Sequence, residues 1–211
     1  MYSVIIVDDH RMFRESLKKM LQMEGFVKVM GEASTGKEFI KMLATHNPDV
    51  VLMDISMPEM DGVEATRKAL EIQPDLKVLT LSSFGDERYY YSMIESGVKG
   101  FVLKSSGIHE LLQAIEEVRS GGSWFSNELL RKVISSIGKS TNKNVKNELS
   151  EKEVEVMRFV CEGYTTEQIA KDLNLNYEAV KSIRDGILKK TNSPNTAALV
   201  MYAIRNSLIE I

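Results

Sequence analysis

Five short apolar runs recur through the first 121 residues: Val4-Ile5-Ile6-Val7, Val27-Lys28-Val29-Met30, Val50-Val51-Leu52-Met53, Val78-Leu79-Thr80-Leu81 and Gly100-Phe101-Val102-Leu103. Four of them are nearly unbroken β-branched or aliphatic stretches, the pattern of strands buried on both faces of a parallel sheet. Between the runs, apolar residues return at helical spacing. Phe13, Leu17, Met20 and Leu21 mark the first such segment, and Ile108, Leu111, Leu112, Ile115 and Val118 the last. Five strands alternating with five helices predict an α/β domain built on a five-stranded, doubly wound parallel sheet.

The pattern then changes. After Trp124 no strand-like run occurs. A short amphipathic segment at 127–137 leads into Gly138-Lys139-Ser140-Thr141-Asn142-Lys143-Asn144, a polar stretch that reads as a linker. From Ser150 onward everything reads helical, in four segments at about 150–162, 165–173, 176–190 and 195–208. Ser150-Glu151-Lys152-Glu153 and Thr165-Thr166-Glu167-Gln168 both have the capping-box form, which places two helix starts. Gly163 ends the first of these helices. Val154, Met157, Val160 and Cys161 stripe the first, and Ile169, Ala170 and Leu173 the second. The predicted division is therefore 1–121 for the α/β domain, 122–147 for a linker with a short helix, and 148–211 for an all-α four-helix domain.

Charge sharpens this division. The net charge is −3, but residues 1–125 hold 14 Lys/Arg against 19 Asp/Glu, while residues 126–211 hold 13 against 11. An acidic front and a mildly basic back suit two modules with different partners. The hydrophobic fraction of 43% with 27% charged residues is that of a folded soluble chain, which argues against disorder. No apolar run approaches the roughly 18 residues of a membrane span. The start, Met1-Tyr2-Ser3-Val4, opens directly into a strand-like run, so a cytoplasmic protein with no export signal is expected. The single cysteine, Cys161, excludes an intramolecular disulfide and suits a reducing compartment. It sits in the apolar run Val156 to Cys161 and reads as packing.

The chemistry lies where polar residues meet the strand ends. Asp8 and Asp9 end the first strand, Asp54 the third, Ser82 the fourth and Lys104 the fifth. In an open α/β sheet such groups converge on the crevice at the topological switch point. Three carboxylates gathered there repel, each raising the others' pKa, unless a cation sits among them. Hard oxygen ligands suit Mg²⁺, which takes one or two carboxylates, waters and a phosphate oxygen. A lysine and a hydroxyl on the far side can hold further phosphoryl oxygens. The constellation predicts a carboxylate that carries phosphate.

These residues resemble the receiver domain of response regulators. The resemblance spans roughly residues 1–121 and rests on Val7-Asp8-Asp9, the run from Met53 through Asp54, Ser56, Met57-Pro58 and Asp61-Gly62, Leu81-Ser82-Ser83, and Gly100 to Lys104. It implies Asp54 as phosphoacceptor, and Asp8, Asp9, Asp54 and the backbone carbonyl of Ser56 as ligands of Mg²⁺. It also implies Ser82 as the switch hydroxyl, Phe101 as the switch aromatic and Lys104 as the cation that pairs with phosphate. Many receivers have proline after this lysine; Ser105 stands there, which leaves the lysine's role intact. Taken singly, Asp8-Asp9-His10 reads equally as a helix cap, and Met57-Pro58 or Asp61-Gly62 as turn punctuation. His10, His46 and His109 lie outside the strand-end constellation and read as surface or capping residues. Tyr89-Tyr90-Tyr91 reads equally as a partner face and as ordinary half-buried helix aromatics.

In the back half, the turn Leu173-Asn174-Leu175-Asn176 precedes a helix with Val180, Ile183, Ile187 and Leu188 inward. Lys181, Arg184, Lys189 and Lys190 are then available outward. Two short helices, a tight turn and cations on the second form the helix-turn-helix arrangement, although a small bundle reads similarly. Leu149 to Met157, Glu162 to Ala170 and Ala179-Val180-Lys181 resemble the LuxR-type four-helix DNA-binding domain over roughly 148–208. The whole chain is similar to NarL/FixJ-type response regulators. Candidate DNA contacts are Lys181, Ser182, Arg184, Asp185 and Lys189. The third helix departs from the family pattern: Ala179 replaces the usual Thr, Ile183 the common His, and Asp185 a polar or basic residue. Gly186 lowers helix propensity by about 1 kcal/mol relative to Ala. An acid near phosphates opposes binding unless it accepts from a cytosine amino group.

The resemblance implies a phosphorylation-controlled transcription factor that is not an enzyme beyond assisting its own phosphorylation and dephosphorylation. Its expected partners are a histidine kinase, double-stranded promoter DNA with paired half-sites, and a second copy of itself when phosphorylated. A rival reading has the altered third helix bind a protein instead of DNA. An aspartyl-phosphate hydrolase is disfavoured, because the second catalytic Asp expected two residues after the nucleophile is Ser56 here.

Overall fold

The computed structural model describes residues 2–83, 87–126, 149–206 and 208. The expected short helix at 127–137 and polar linker at 138–144 lie outside the described residues. The chain divides into two compact units, residues 1–125 and 126–211.

The first unit contains β1 (Tyr2–Val7), β2 (Val27–Ala33), β3 (Val50–Asp54), β4 (Val78–Ser82) and β5 (Gly100–Leu103). All pair in parallel, in the order β2-β1-β3-β4-β5. The helices between and after them are α1 (Arg11–Met23), α2 (Gly36–Met42), α3 (Gly62–Ile72), α4 (Glu87–Ser96) and α5 (Ile108–Arg119). β3 and β4 are buried at every position, which explains their unbroken apolar runs. On one face, Val4, Ile6, Val50, Leu52, Leu79 and Leu81 meet Leu17 and Leu21 of α1 and Leu111, Ile115 and Val118 of α5. The alternating residues Ile5, Val51 and Met53 are also fully buried, as a sheet covered on both faces requires. The chain reverses direction of winding between β1 and β3, so the crevice opens at their carboxyl ends.

This unit runs past residue 121. Phe101 N–H donates to the Trp124 carbonyl at 2.8 Å, and Trp124 N–H to the Lys99 carbonyl at 2.9 Å. Trp124 thus pairs in parallel with Gly100 and covers part of the β5 edge, where unpaired backbone groups would otherwise be exposed.

The second unit holds α6 (Glu151–Cys161), α7 (Thr166–Asp172), α8 (Tyr177–Lys190) and α9 (Thr196–Arg205). Ser150 and Thr165 both form complete capping boxes, with Glu153 and Gln168 as their reciprocal partners. Gly163, at φ 88°, takes the left-handed conformation that ends α6. Val156, Met157, Val160, Ile169, Val180, Ile187, Leu199 and Ala203 form the core, with Cys161 packed at its edge. Among the described residues, no helix is long and apolar enough to cross a membrane.

Candidate functional site

The crevice brings Asp8, Asp9 and Asp54 together. Asp54 closes β3, and Asp8 and Asp9 follow β1; Asp8 and Asp54 are buried, whereas Asp9 is exposed. Lys104 follows β5, and its backbone N–H donates to the Ser82 carbonyl at 2.8 Å, so the β4 and β5 ends root the lysine. Its ammonium lies 2.8 Å from Asp8 Oδ2 and 2.9 Å from Asp54 Oδ1, a bridge between the two buried carboxylates. The same Nζ lies 5.1 Å from the centre of the Phe13 ring, a contact that favours the cation.

One ammonium does not fully neutralise this crevice. Burial pushes the Asp54 carboxyl up to about 6; Lys104 opposes the rise and the neighbouring Asp8 charge adds to it. Burial alone would pull Lys104 down, yet its hydrogen bonds and charge contacts with Asp8 and Asp54 leave it above the ordinary lysine value. Asp8, Asp9, Asp54 and His10 offer donor atoms that all lie within 4.8 Å of one another. A set dominated by carboxylate oxygens, with Asp54 reluctant to ionise, fits a hard divalent cation. Ser82 closes β4 with 1% of its surface exposed, and among the described residues its Oγ has no hydrogen-bond partner. That hydroxyl has capacity for an acceptor brought into the crevice.

His10 departs from the sequence expectation. It occupies the N-cap position of α1 without a side-chain cap, but its Nδ1 reaches 2.8 Å from Asp9 Oδ1 and 3.3 Å from Asp8 Oδ1. It belongs to the constellation, because the turn into α1 folds the ring back over the strand end. His46 caps the end of α2 through the Met42 carbonyl at 3.1 Å, and His109 is exposed on α5, both as expected.

Further residues support the site. Gly62, part of the receiver-like run in the sequence, donates its N–H to the Ile55 carbonyl at 2.8 Å. A Cβ there would lie 2.1 Å from the Asp54 carbonyl oxygen, so only glycine lets α3 start this close to the acidic residue. Asp61 caps the same helix, accepting from Glu64 N–H at 2.8 Å. Arg14 donates to the Asp8 carbonyl and holds the strand end from α1. Nothing local distinguishes it from Arg11, which points to solvent and pairs with Glu15.

Phe101 is buried, with its ring edge-on to Tyr90 at 5.1 Å and tilted against Phe125 at 5.9 Å. Tyr90 is therefore a packing residue, while the Tyr91 hydroxyl donates to Glu95. Ser56 lies in the exposed loop after β3.

Two known families match this chain. Residues 4–116 match the response regulator receiver domain, and residues 147–203 match the bacterial regulatory proteins of the luxR family. The chain is a response regulator of the NarL/FixJ type. This response regulator is 30% identical to the transcriptional regulatory protein DegU of Brevibacillus brevis, over 99% of this chain and 95% of the relative. It is 32% identical to the response regulator protein VraR of Staphylococcus aureus, over 98% of each. Among solved structures, the response regulator ChrA of a heme-sensing two-component system aligns with a TM-score of 0.54 at 27% identity, covering 99% of this chain and 98% of that one. RcsB from Salmonella enterica serovar Typhimurium, solved bound to promoter rprA with the phosphomimetic BeF3-, aligns with a TM-score of 0.56 at 26% identity, covering 97% and 99%.

In the response regulator's second unit, α7 and α8 stand as the two helices of the motif. Asn174 turns the chain between them at φ 52°, a conformation that Asn tolerates better than most residues. α8 buries Val180 and Ile187 and presents an opposite stripe of Glu178, Lys181, Ser182, Asp185, Gly186 and Lys189, which line a shallow recess. Lys181, Ser182, Asp185 and Lys189 are exposed as expected. Arg184 is not free on that stripe. It is half-buried, and its guanidinium donates to Thr166 Oγ1 at the start of α7 and to Thr196 Oγ1 at the start of α9. Lys190 is likewise engaged, 2.8 Å from Glu153 of α6.

Proposed function

We propose that this response regulator accepts a phosphoryl group on Asp54 from the phosphohistidine of a histidine kinase, and that the modified chain binds double-stranded DNA through α8 as a homodimer. The observation that carries the first half is the placement of Asp54 in a buried crevice beside Asp8 and Lys104. A carboxylate oxygen of Asp54 attacks phosphorus, the P–N bond of the donor breaks, and the kinase imidazole leaves and takes up a proton. Lys104 then turns its ammonium to the phosphoryl oxygens, the Ser82 hydroxyl donates to another, and Phe101 repacks against its aromatic neighbours. Asp8, Asp9, Asp54 and the Ser56 carbonyl would hold Mg²⁺, which supplies positive charge to the phosphoryl oxygens when bound. The chain acts on no substrate beyond its own phosphate and works in the cytoplasm. The phosphate biases a two-state element and makes no contact with DNA itself.

DNA binding is supported by the luxR-family match and by the resemblance to RcsB, which is solved on a promoter. Incubation with acetyl phosphate and Mg²⁺ should add a single acid-stable, hydroxylamine-labile phosphate, lost in Asp54→Ala; equal labelling of that variant would refute the assignment. Asp9→Ala should fold and lose the metal-dependent labelling. Binding to random duplex DNA should weaken as salt is raised. A flat salt response would favour a protein partner for the second unit.

A further inference from the structure

Gly186 lies inside α8, where glycine is less favourable than alanine. Among the described residues nothing demands it. Its backbone is not among the left-handed glycines, and of the described residues a Cβ built there meets only Glu153, at Oε1 and the ordinary contact distance of 3.8 Å. Alanine would therefore fit and strengthen the helix. The residue lies instead in the exposed recess shared with Lys181, Ser182, Asp185 and Lys189. A missing side chain that serves no internal packing is accounted for by something that approaches from outside.

The charges on the stripe narrow what that is. Lys181 and Lys189 are balanced by Glu178 and Asp185, so the recess has little attraction for the phosphate backbone. Arg184, the cation nearest its middle, is turned away to Thr166 and Thr196. Asp185 is exposed and acts only as an acceptor when ionised. In a major groove the partner for such a side chain is a base amino group, and the carboxylate–cytosine N4 pairing is the one its geometry suits.

Resting on the DNA-binding reading above, we infer that Asp185 and Gly186 form the base-reading notch of α8. Asp185 accepts from the N4 amino group of a cytosine, and the bare backbone at Gly186 lets the groove edge of the adjacent base come into contact with the helix. Specificity here comes from an acid and an absent methyl, while Lys181 and Lys189 flank the notch.

The test uses the full-length chain with Mg²⁺ and beryllofluoride. Selection from a random duplex library defines the preferred sequence, and fluorescence anisotropy then measures affinity for it and for a scrambled duplex. Gly186→Ala should raise the melting temperature of the second unit yet weaken binding to the preferred duplex about tenfold or more, with scrambled binding unchanged. Asp185→Asn should change the preferred base at one position from cytosine to adenine, the partner of an amide side chain. A Gly186→Ala protein that binds the preferred duplex as tightly as the parent, or weakens on both duplexes alike, would overturn the notch. So would an unaltered preference in Asp185→Asn. Failure of the parent chain to bind any duplex would instead overturn the DNA-binding reading on which the notch depends.

Discussion

Asp54 shows how far one cation can offset the burial of two carboxylates. Lys104 bridges it to Asp8, yet desolvation still pushes its carboxyl from the ordinary 3.8 up to about 6. A raised carboxylate pKa means the folded state holds a proton that the unfolded chain has released between about pH 4 and 6. That contribution to stability is full below the unfolded value and is lost as pH rises through about 6. In EDTA, Asp54→Asn should therefore be more stable than the parent at pH 8, by about 3 kcal/mol, and nearly equal to it at pH 4. Urea titrations at both pH values check this, and parallel pH profiles for the two proteins would refute it. Mg²⁺ should shrink the difference by supplying the missing charge. Cys161 offers a simpler case. Burial, followed by the charge of Glu162, pushes its thiol up to about 12, so almost no reactive thiolate exists at neutral pH. Iodoacetamide at pH 8 should leave the native chain unmodified and label it promptly in urea; rapid labelling of the native chain would contradict the packing role.

At the scale of elements, α8 depends on contacts that cross the second unit. Arg184 joins it to the starts of α7 and α9, and Lys190 joins it to Glu153, which also completes the capping box of α6. Arg184→Ala should cost about 1.5–3 kcal/mol in stability, the range for hydrogen bonds to a charged group. It should weaken binding to every duplex alike without altering the salt dependence. Lys181→Ala should leave stability unchanged and lessen the salt slope by about one if the lysine touches phosphate. Denaturant melts and anisotropy at several salt concentrations separate the two; an Arg184→Ala protein of parental stability with a reduced slope would return the arginine to the DNA face. The elements were largely legible in the sequence because their signals are local. Buried strands such as β3 and β4 give unbroken apolar runs, and Ser-x-x-Glu and Thr-x-x-Gln mark helix starts within one turn. The direction of Arg184 was not legible, since it sits at the border between the core stripe and the surface. Its partners, Thr166 and Thr196, lie on other helices. The same holds for His10, whose place was decided by a turn, and for Trp124, whose pairing partner is the edge of β5. The strand-end residues Asp8, Asp54 and Lys104 were legible together because sheet topology, unlike side-chain direction, follows from the order of the runs.

For the whole molecule, the acidic front, with 14 Lys/Arg against 19 Asp/Glu, and the weakly basic back, with 13 against 11, limit what one copy can do on DNA. The exposed stripe of α8 has equal numbers of lysines and acids, so little phosphate attraction supports a single half-site contact. Affinity must then come from linking two such contacts. Once two copies are joined, the second contact forms within one complex, which raises affinity by about 10²- to 10⁴-fold with no new contact. Beryllofluoride with Mg²⁺ should therefore strengthen binding to a duplex with two half-sites by about that factor. A duplex with one half-site should change by only a few-fold, and Asp54→Ala should show neither gain. Sedimentation of the free protein should shift from one copy to two under the same treatment. Equal gains on both duplexes would mean that phosphate exposes the second unit within a single chain, and the dimer would be unnecessary. No gain on either would separate the Asp54 crevice from DNA binding altogether. The paired half-site outcome follows from a neutral reading face, because a helix with so little pull on the backbone gains most from being held in place by its twin.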